Sequence, residues 1–421
     1  MRHRALALIA IIAAAPAVAA PDDKSTPTVV VTGTRLSETE RALKNCVARK
    51  CPVEEDVAAT LAHAENLFVA GRYGEARNTL LAGRGRTRRF AKTYPVAVSK
   101  VTRAIATVSA HLGEPESYQL STIDTLDVLK AGLPRDDARV LEARVEVATM
   151  FGRLGRIEAA EQIFRAVAAR AKELDLIRIQ GFAELRLAVL YEQLAEGDPG
   201  IYAKSARDII AAIESNPDPR YAVFVKAARI LEARKLARKG DVKAFDAVLA
   251  DVRAIGATDQ PVLVYAPPIE QLRDAVRGAY QPINNSGPEQ SDRFTAGSGV
   301  PTLTEYSRLP LQLFDDQWVD VGFYVTPDGR TADIGILRTS PKLESESWVK
   351  PIFKSIALRR YLPLKRDASD PGILRIERYT LTSLMEARIG TRIRQRSPEP
   401  RLEVLDLSVD PAPAKPRDGS I

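Results

Sequence analysis

The chain is short of the residues that carry most protein chemistry. Its 421 residues include three His, two Cys, three Met and two Trp, and only 6% are aromatic. His3 lies in a segment expected to be removed, so a nucleophile–histidine arrangement would have to use His63 or His111. A His/Cys zinc shell would consume nearly every ligand left. No Gly-x-x-x-x-Gly-Lys phosphate loop and no His-Glu-x-x-His occurs. Gly297-Ser298-Gly299 lacks the outer frame of a nucleophile elbow. Paired acids (Glu54-Glu55-Asp56, Asp136-Asp137) fall at expected helix starts, where the helix dipole accounts for them. No catalytic residue, cofactor, metal or small-molecule substrate is therefore expected. Beyond the first twenty residues no apolar run is long enough to cross a bilayer. A 45% hydrophobic and 27% charged composition excludes disorder as the main state. The net charge of +7 is a mild excess, and it does not argue for nucleic acid.

What is present begins with Met1-Arg2-His3-Arg4 and an uncharged run from Ala5 to Ala20. A basic start, a short apolar stretch and small residues at its end form the layout of a secretory signal cleaved near Ala19 or Ala20. The expected location is the periplasm; retention of the run as an inner-membrane anchor is the alternative. In an oxidising compartment the lone pair Cys46 and Cys51 reads as a disulfide clipping the entry to a helical region. Two basic clusters, Arg84/Arg86/Arg88/Arg89/Lys92 and Arg388/Arg392/Arg394/Arg396, read as solvated surface or as a face for an acidic partner.

From residue 37 to 256 apolar residues recur at three and four. Gly71, Gly113, Gly155, Gly197 and Gly240 are spaced 42, 42, 42 and 43 residues apart. A fixed period in this range means stacked helical hairpins. Ala64, Ala106, Ala148 and Ala233 stand seven residues before four of these glycines, with Leu190 at the fourth. After the turn, Gly71-Arg72-Tyr73-x-x-Ala76 matches Gly155-Arg156-Ile157-x-x-Ala160-x-x-x-Phe164. These residues resemble the tetratricopeptide repeat family, with a longer period than its usual 34 or so. The resemblance implies an all-α solenoid that binds other proteins.

Residues 257–302 are rich in Pro and read as a linker, with one short helix expected at Ile269–Tyr280. The period then changes. Val319, Val321, Phe323 and Val325 alternate with polar or small residues, Pro327-Asp328-Gly329 signals a tight turn, and Ala332, Ile334 and Ile336 alternate on the return. A short helix (about Glu344–Leu358) and strands around Ile373–Met385 and Leu402–Leu407 follow, giving a small α+β (β-β-α-β) domain over 303–408. Trp318 and Trp348 read as its core. Residues 409–421 read as a disordered tail.

This block resembles the C-terminal domain of TonB through Pro327-Asp328-Gly329-Arg330, Ser340-Pro341 and Arg360-Tyr361-Leu362-Pro363. The resemblance implies that the strand from Ile373 to Leu384, with Ile373, Arg375, Glu377, Tyr379 and Leu381, forms a sheet edge that pairs with an extended receptor peptide. It also implies periplasmic or outer-membrane partners, TonB-dependent receptors among them. Residues 21–36 form an N-terminal arm whose Thr28-Val29-Val30-Val31-Thr32-Gly33-Thr34-Arg35 suits an added strand. The function expected is a periplasmic interaction scaffold or adaptor, not an enzyme. The alternative is a TonB-type energy transducer with an uncleaved anchor.

Overall fold

A computed structural model describes residues 35–195, 200–238, 257–267, 317–341, 347–387, 394–397 and 400–408, with a few isolated positions between them. The signal, most of the arm, the helix expected at 269–280, the tail, Gly197 and Gly240 lie outside the described residues.

Ten helices run from Leu36 to Arg238: α1 (Leu36–Ala48), α2 (Val53–Val69), α3 (Tyr73–Thr87), α4 (Pro95–His111), α5 (Pro115–Gly132), α6 (Ala138–Arg153), α7 (Ile157–Glu173), α8 (Ile177–Leu194), α9 (Ile201–Glu214) and α10 (Ala222–Arg238). From α2 onward they stack as hairpins, with the first helices of successive units in contact: α2 on α4, α6 on α8, α8 on α10. The in-phase alanines Ala64, Ala106, Ala148 and Ala233 are buried, because a small side chain lets the paired helices close. Three hairpin turns are built alike. Gly71, Gly113 and Gly155 have φ of 77°, 71° and 76°, and the residue after each donates back five positions, as Arg72 N does to Leu67 O at 2.8 Å. This is the Schellman stop, which favours glycine because only glycine enters the left-handed region without a Cβ penalty. Lys50 and Asp175 occupy the same conformation at two further turns, at φ 53° and 54°. At the Lys50 turn Cys51 is joined to Cys46 with Cα atoms 5.1 Å apart.

The C-terminal region is a four-stranded antiparallel sheet in the order β3-β2-β5-β8: β2 (Gln317–Val325), β3 (Thr331–Thr339), β5 (Ile373–Thr382) and β8 (Arg401–Asp406). A helix, α11 (Val349–Ala357), covers one face. Val319, Val321, Phe323 and Val325 of β2 form the core there with Trp348, Ile352, Ile356, Tyr379 and Leu381. Two short ladders flank the sheet, β1 (Leu263–Tyr265) with β4 (Arg360–Tyr361), and β6 (Met385–Ala387) with β7 (Arg394–Arg396).

Three expectations are corrected. The strand from Ile373 is not a sheet edge. From Ile373 to Leu381 it pairs with β2, and from Glu377 to Thr382 it also pairs with β8; main-chain groups already bonded on both sides cannot accept a further strand. The linker does not begin at 257: Thr258 bridges to Leu364, β1 pairs with β4, and Val264 is fully buried beside Leu362 and Ile230 of α10. Trp318 does not belong to the core of the small domain. It packs among helical residues, with Leu67, Phe68, Tyr73 and Ile105.

Candidate functional site

The motif residues singled out in the C-terminal block sit together. Gly329, at φ 80°, turns the β2–β3 hairpin, and its carbonyl accepts from Tyr361 N at 2.8 Å. Pro327 O accepts from Leu364 N at 2.9 Å. Thus Pro327-Asp328-Gly329-Arg330 is docked on Arg360-Tyr361-Leu362-Pro363, and a Cβ at Gly329 would collide with the Tyr361 carbonyl. Ser340, just before Pro341, is buried and donates its N–H to Trp318 O at 2.9 Å.

Four of the five proposed edge residues serve the interior instead, and Arg375 makes a surface ion pair. Ile373 and Leu381 are buried core. Buried Arg359 donates to Glu377 Oε1 at 2.7 Å and to Tyr379 Oη at 2.8 Å, and Tyr379 also donates to Glu377. Burial, with the Glu377 charge beside it, holds the Tyr379 phenol well above its usual range. Arg375 pairs with Asp406.

The opposite face of the sheet carries the feature that the sequence reading missed. The hairpin turns of the array rest on it. Arg378 and Asp320 are fully buried and bonded to each other, Nε to Oδ1 at 2.6 Å and Nη2 to Oδ2 at 2.9 Å. Arg378 also donates to Phe68 O at 2.8 Å and Val69 O at 2.7 Å, carbonyls of the last turn of α2. A cation there meets the negative end of the helix dipole. Its guanidinium lies 3.8 Å from the Trp318 ring centroid, a stacked cation–π contact. Around it, Thr380 Oγ1 is 2.9 Å from Tyr73 Oη and 3.1 Å from His111 Nδ1. Burial, with Arg378 and Arg153 nearby, depresses the His111 pKa to about 4. Gly71 lies against Trp318, and Gly113 lies against the Ser383 carbonyl. Further along, Arg153 pairs with Glu403 at 2.7 Å. The alternation of β2 pointed to Asp320 as a solvent-facing position; an acid between Trp318 and Gly322 on the non-core face was the one signal available.

The array has a second, outward feature. Ion pairs join successive first helices, Arg103 to Glu146 at 3.0 Å and Arg178 to Glu142 at 2.8 Å. Next to these, on α8, Phe182 is 40% exposed and carries the Arg186 guanidinium 4.9 Å above its ring. Arg186 makes no hydrogen bond or ion pair with any described residue, and crowding by surrounding atoms lowers its pKa. In contrast, the basic cluster at the end of α3 is largely satisfied within the chain: Arg84 and Arg88 pair with Asp124, and Arg86 with Asp56. His63 and His111 are buried packing residues, His63 facing Thr39 at 3.2 Å.

Against known proteins, no family model and no curated sequence matches the chain. Among solved structures it is similar to BtubC (BKLC) from P. vanneervenii, at 16% identity over 62% of this chain and 97% of that one with a TM-score of 0.39. It is also similar to a Podosopora anserina putative kinesin light chain with nearly identical TPR-like repeats, at 14% identity over 52% and 96% with a TM-score of 0.35.

Proposed function

We propose that this chain is an exported protein–protein interaction scaffold, in which the outer face of the first helices binds a partner protein and the TonB-like sheet is fixed against the array. The observation that carries the reading is the pair Phe182 and Arg186. An exposed aromatic beneath an arginine that has no anionic partner among the described residues is the kind of anchor found at the centre of binding patches. A partner acid placed there would gain a charge-assisted bond without breaking one inside this chain. The ion-paired neighbours Arg178–Glu142 and Arg103–Glu146 give a polar surround. The signal-like N-terminus supports a periplasmic setting.

The test is affinity capture from periplasmic extract with the full mature chain, comparing native protein with Arg186→Glu and Phe182→Ala. The reading requires a partner retained by the native protein and lost, by at least about tenfold in affinity, with either variant. Equal retention by all three would remove it. Intact mass and cell fractionation test the export component.

A further inference from the structure

The second helices of the array are bridged unevenly. Between α3 and α5, Arg84 and Arg88 reach Asp124, and Arg77 reaches Glu114 at the start of α5. Between α7 and α9, which both pack on α8, no ion pair crosses among the described residues. A groove of about 430 Å³ lies there instead, a volume in the range of ligand pockets. Phe164 and Ala168 of α7, Leu187 of α8, and Ile209 and Ala212 of α9 give it apolar walls. Arg165, Glu184 and Asp208 also line it. The Arg165 charge is answered inside the chain, by Glu161 Oε1 at 2.9 Å, and its guanidinium also donates to Tyr191 Oη at 3.1 Å. Among the described residues Glu184 accepts only from neutral donors, Gln180 Nε2 at 3.0 Å and Tyr221 Oη at 2.5 Å. Burial and the Glu184 charge hold the Tyr221 phenol above its usual range, so it stays a donor. Asp208 is exposed and pairs with no described residue; Lys204, one turn before it, does not line the groove. The groove thus sets two carboxylates without a cation beside apolar walls.

We propose that the groove between α7 and α9 docks an extended segment of a partner protein and seats one of its lysine side chains. A lysine joins the two things the groove offers. Its apolar stem lies on the walls, and its ammonium meets Asp208 at the rim, with the Glu184 charge adding to the attraction. Ile201 favours a protein segment over a free amine. It is 71% exposed and stands on the same face of α9 as Ser205, Asp208 and Ala212, at helical spacing. It therefore offers an apolar contact to a residue beside the lysine, which a small amine could not use. Phe182 and Arg186 lie on the other side of α8 from Glu184 and Leu187, so the two binding surfaces stand or fall separately.

The experiment is a methyl NMR titration of the full mature chain with the peptide acetyl-Gly-Leu-Lys-Leu-Gly-amide. Two further probes are the same peptide with norleucine for lysine, and n-pentylamine. The lysine peptide should shift the Leu187 and Ile209 methyls. It should bind at least about tenfold more tightly than the norleucine peptide, and more weakly as salt rises. Asp208→Asn should weaken binding at least about fivefold, and Asp208→Glu should keep it. Ala212→Trp, which fills the groove from an exposed position, should abolish it. The proposal is overturned if the lysine peptide leaves Leu187 and Ile209 unshifted, if it binds no better than the norleucine peptide, or if Asp208→Asn binds like native protein. Binding of n-pentylamine as tight as that of the peptide would also overturn it, assigning the groove to a small amine.

Discussion

The interior of the array and its seam with the sheet are held together by different physics. Inside the array, the contacts are apolar and repeated: Leu141, Val145, Ala148, Ala160, Phe164 and Leu187 pack in one cluster, and each hairpin needs only its neighbour. At the seam, polar contacts that occur once are added to the apolar packing of Trp318 among α2, α3 and α4. A buried ion pair, two helix-end carbonyls, a tyrosine, a histidine and two glycine turns meet there. Apolar packing tolerates a slide of one unit along a repetitive surface. A fully buried arginine does not, because away from Asp320 and the end of α2 its charge would be left unpaired. The seam therefore fixes which turn of the array faces which strand, whereas the array alone fixes only that turns and strands exist.

The largest break in that comparison should come from Arg378→Ala. It strips buried Asp320 of one of its two arginines, Arg338 remaining at 2.7 Å, and removes the Arg378 donor from the Phe68 and Val69 carbonyls, a change expected to cost about 3 kcal/mol. Denaturant unfolding of the full chain measures it, and the Asp320→Ala/Arg378→Ala double variant should recover part of the loss. A loss below about 1 kcal/mol would show that the seam contributes little.

Next in size is a contrast between two turns of the same build. Gly113→Ala forces a side chain into the left-handed region and onto the Ser383 carbonyl, so about 2–4 kcal/mol is expected. Gly155→Ala meets the same backbone strain but has nothing within 4 Å of its new Cβ, so about 1–2 kcal/mol is expected. Equal costs at the two turns would mean that Gly113 is not pressed on the sheet in solution.

His111 sharpens the comparison through pH. Its folded pKa of about 4 lies below the ordinary value of 6.5, so the unfolded chain binds the proton more readily. Its neutral, buried form favours the folded state fully above about pH 6.5, and that contribution is lost progressively as pH falls toward 4. His111→Gln should flatten this part of the stability–pH curve. An unchanged slope between pH 6.5 and 4 would exclude His111 as its source. The smallest effect should be Glu403→Gln. Arg153 is 41% exposed, and solvent-screened pairs of this kind contribute about 0–1 kcal/mol.

Much of the molecule was legible from residue order. The glycine period placed the turns because only a few residues tolerate the left-handed stop of a Schellman motif. Val319 to Val325 gave a strand, and Pro327-Asp328-Gly329 its turn, because both signals are local. The expected edge at Ile373–Leu384 failed for a reason that is not local. A strand at Leu402–Leu407 was foreseen, but nothing in its sequence says which side of the sheet it joins, and it joins β5. Asp320 read as a solvent-facing alternate of β2 because a period of two shows which residues share a face, and not whether that face meets water or another part of the chain.

By itself, then, the sequence determined the helical hairpins, the β-hairpin and the cysteine clip, all products of short-range geometry and of apolar spacing along one element. Only the tertiary structure decided that β5 is interior, that Trp318 belongs to the array, and that Arg378 closes α2 from 309–310 positions away in the chain. Those outcomes depend on pairing energies between distant segments, where a buried charge has one site at which all its partners are satisfied, and no local pattern encodes that site.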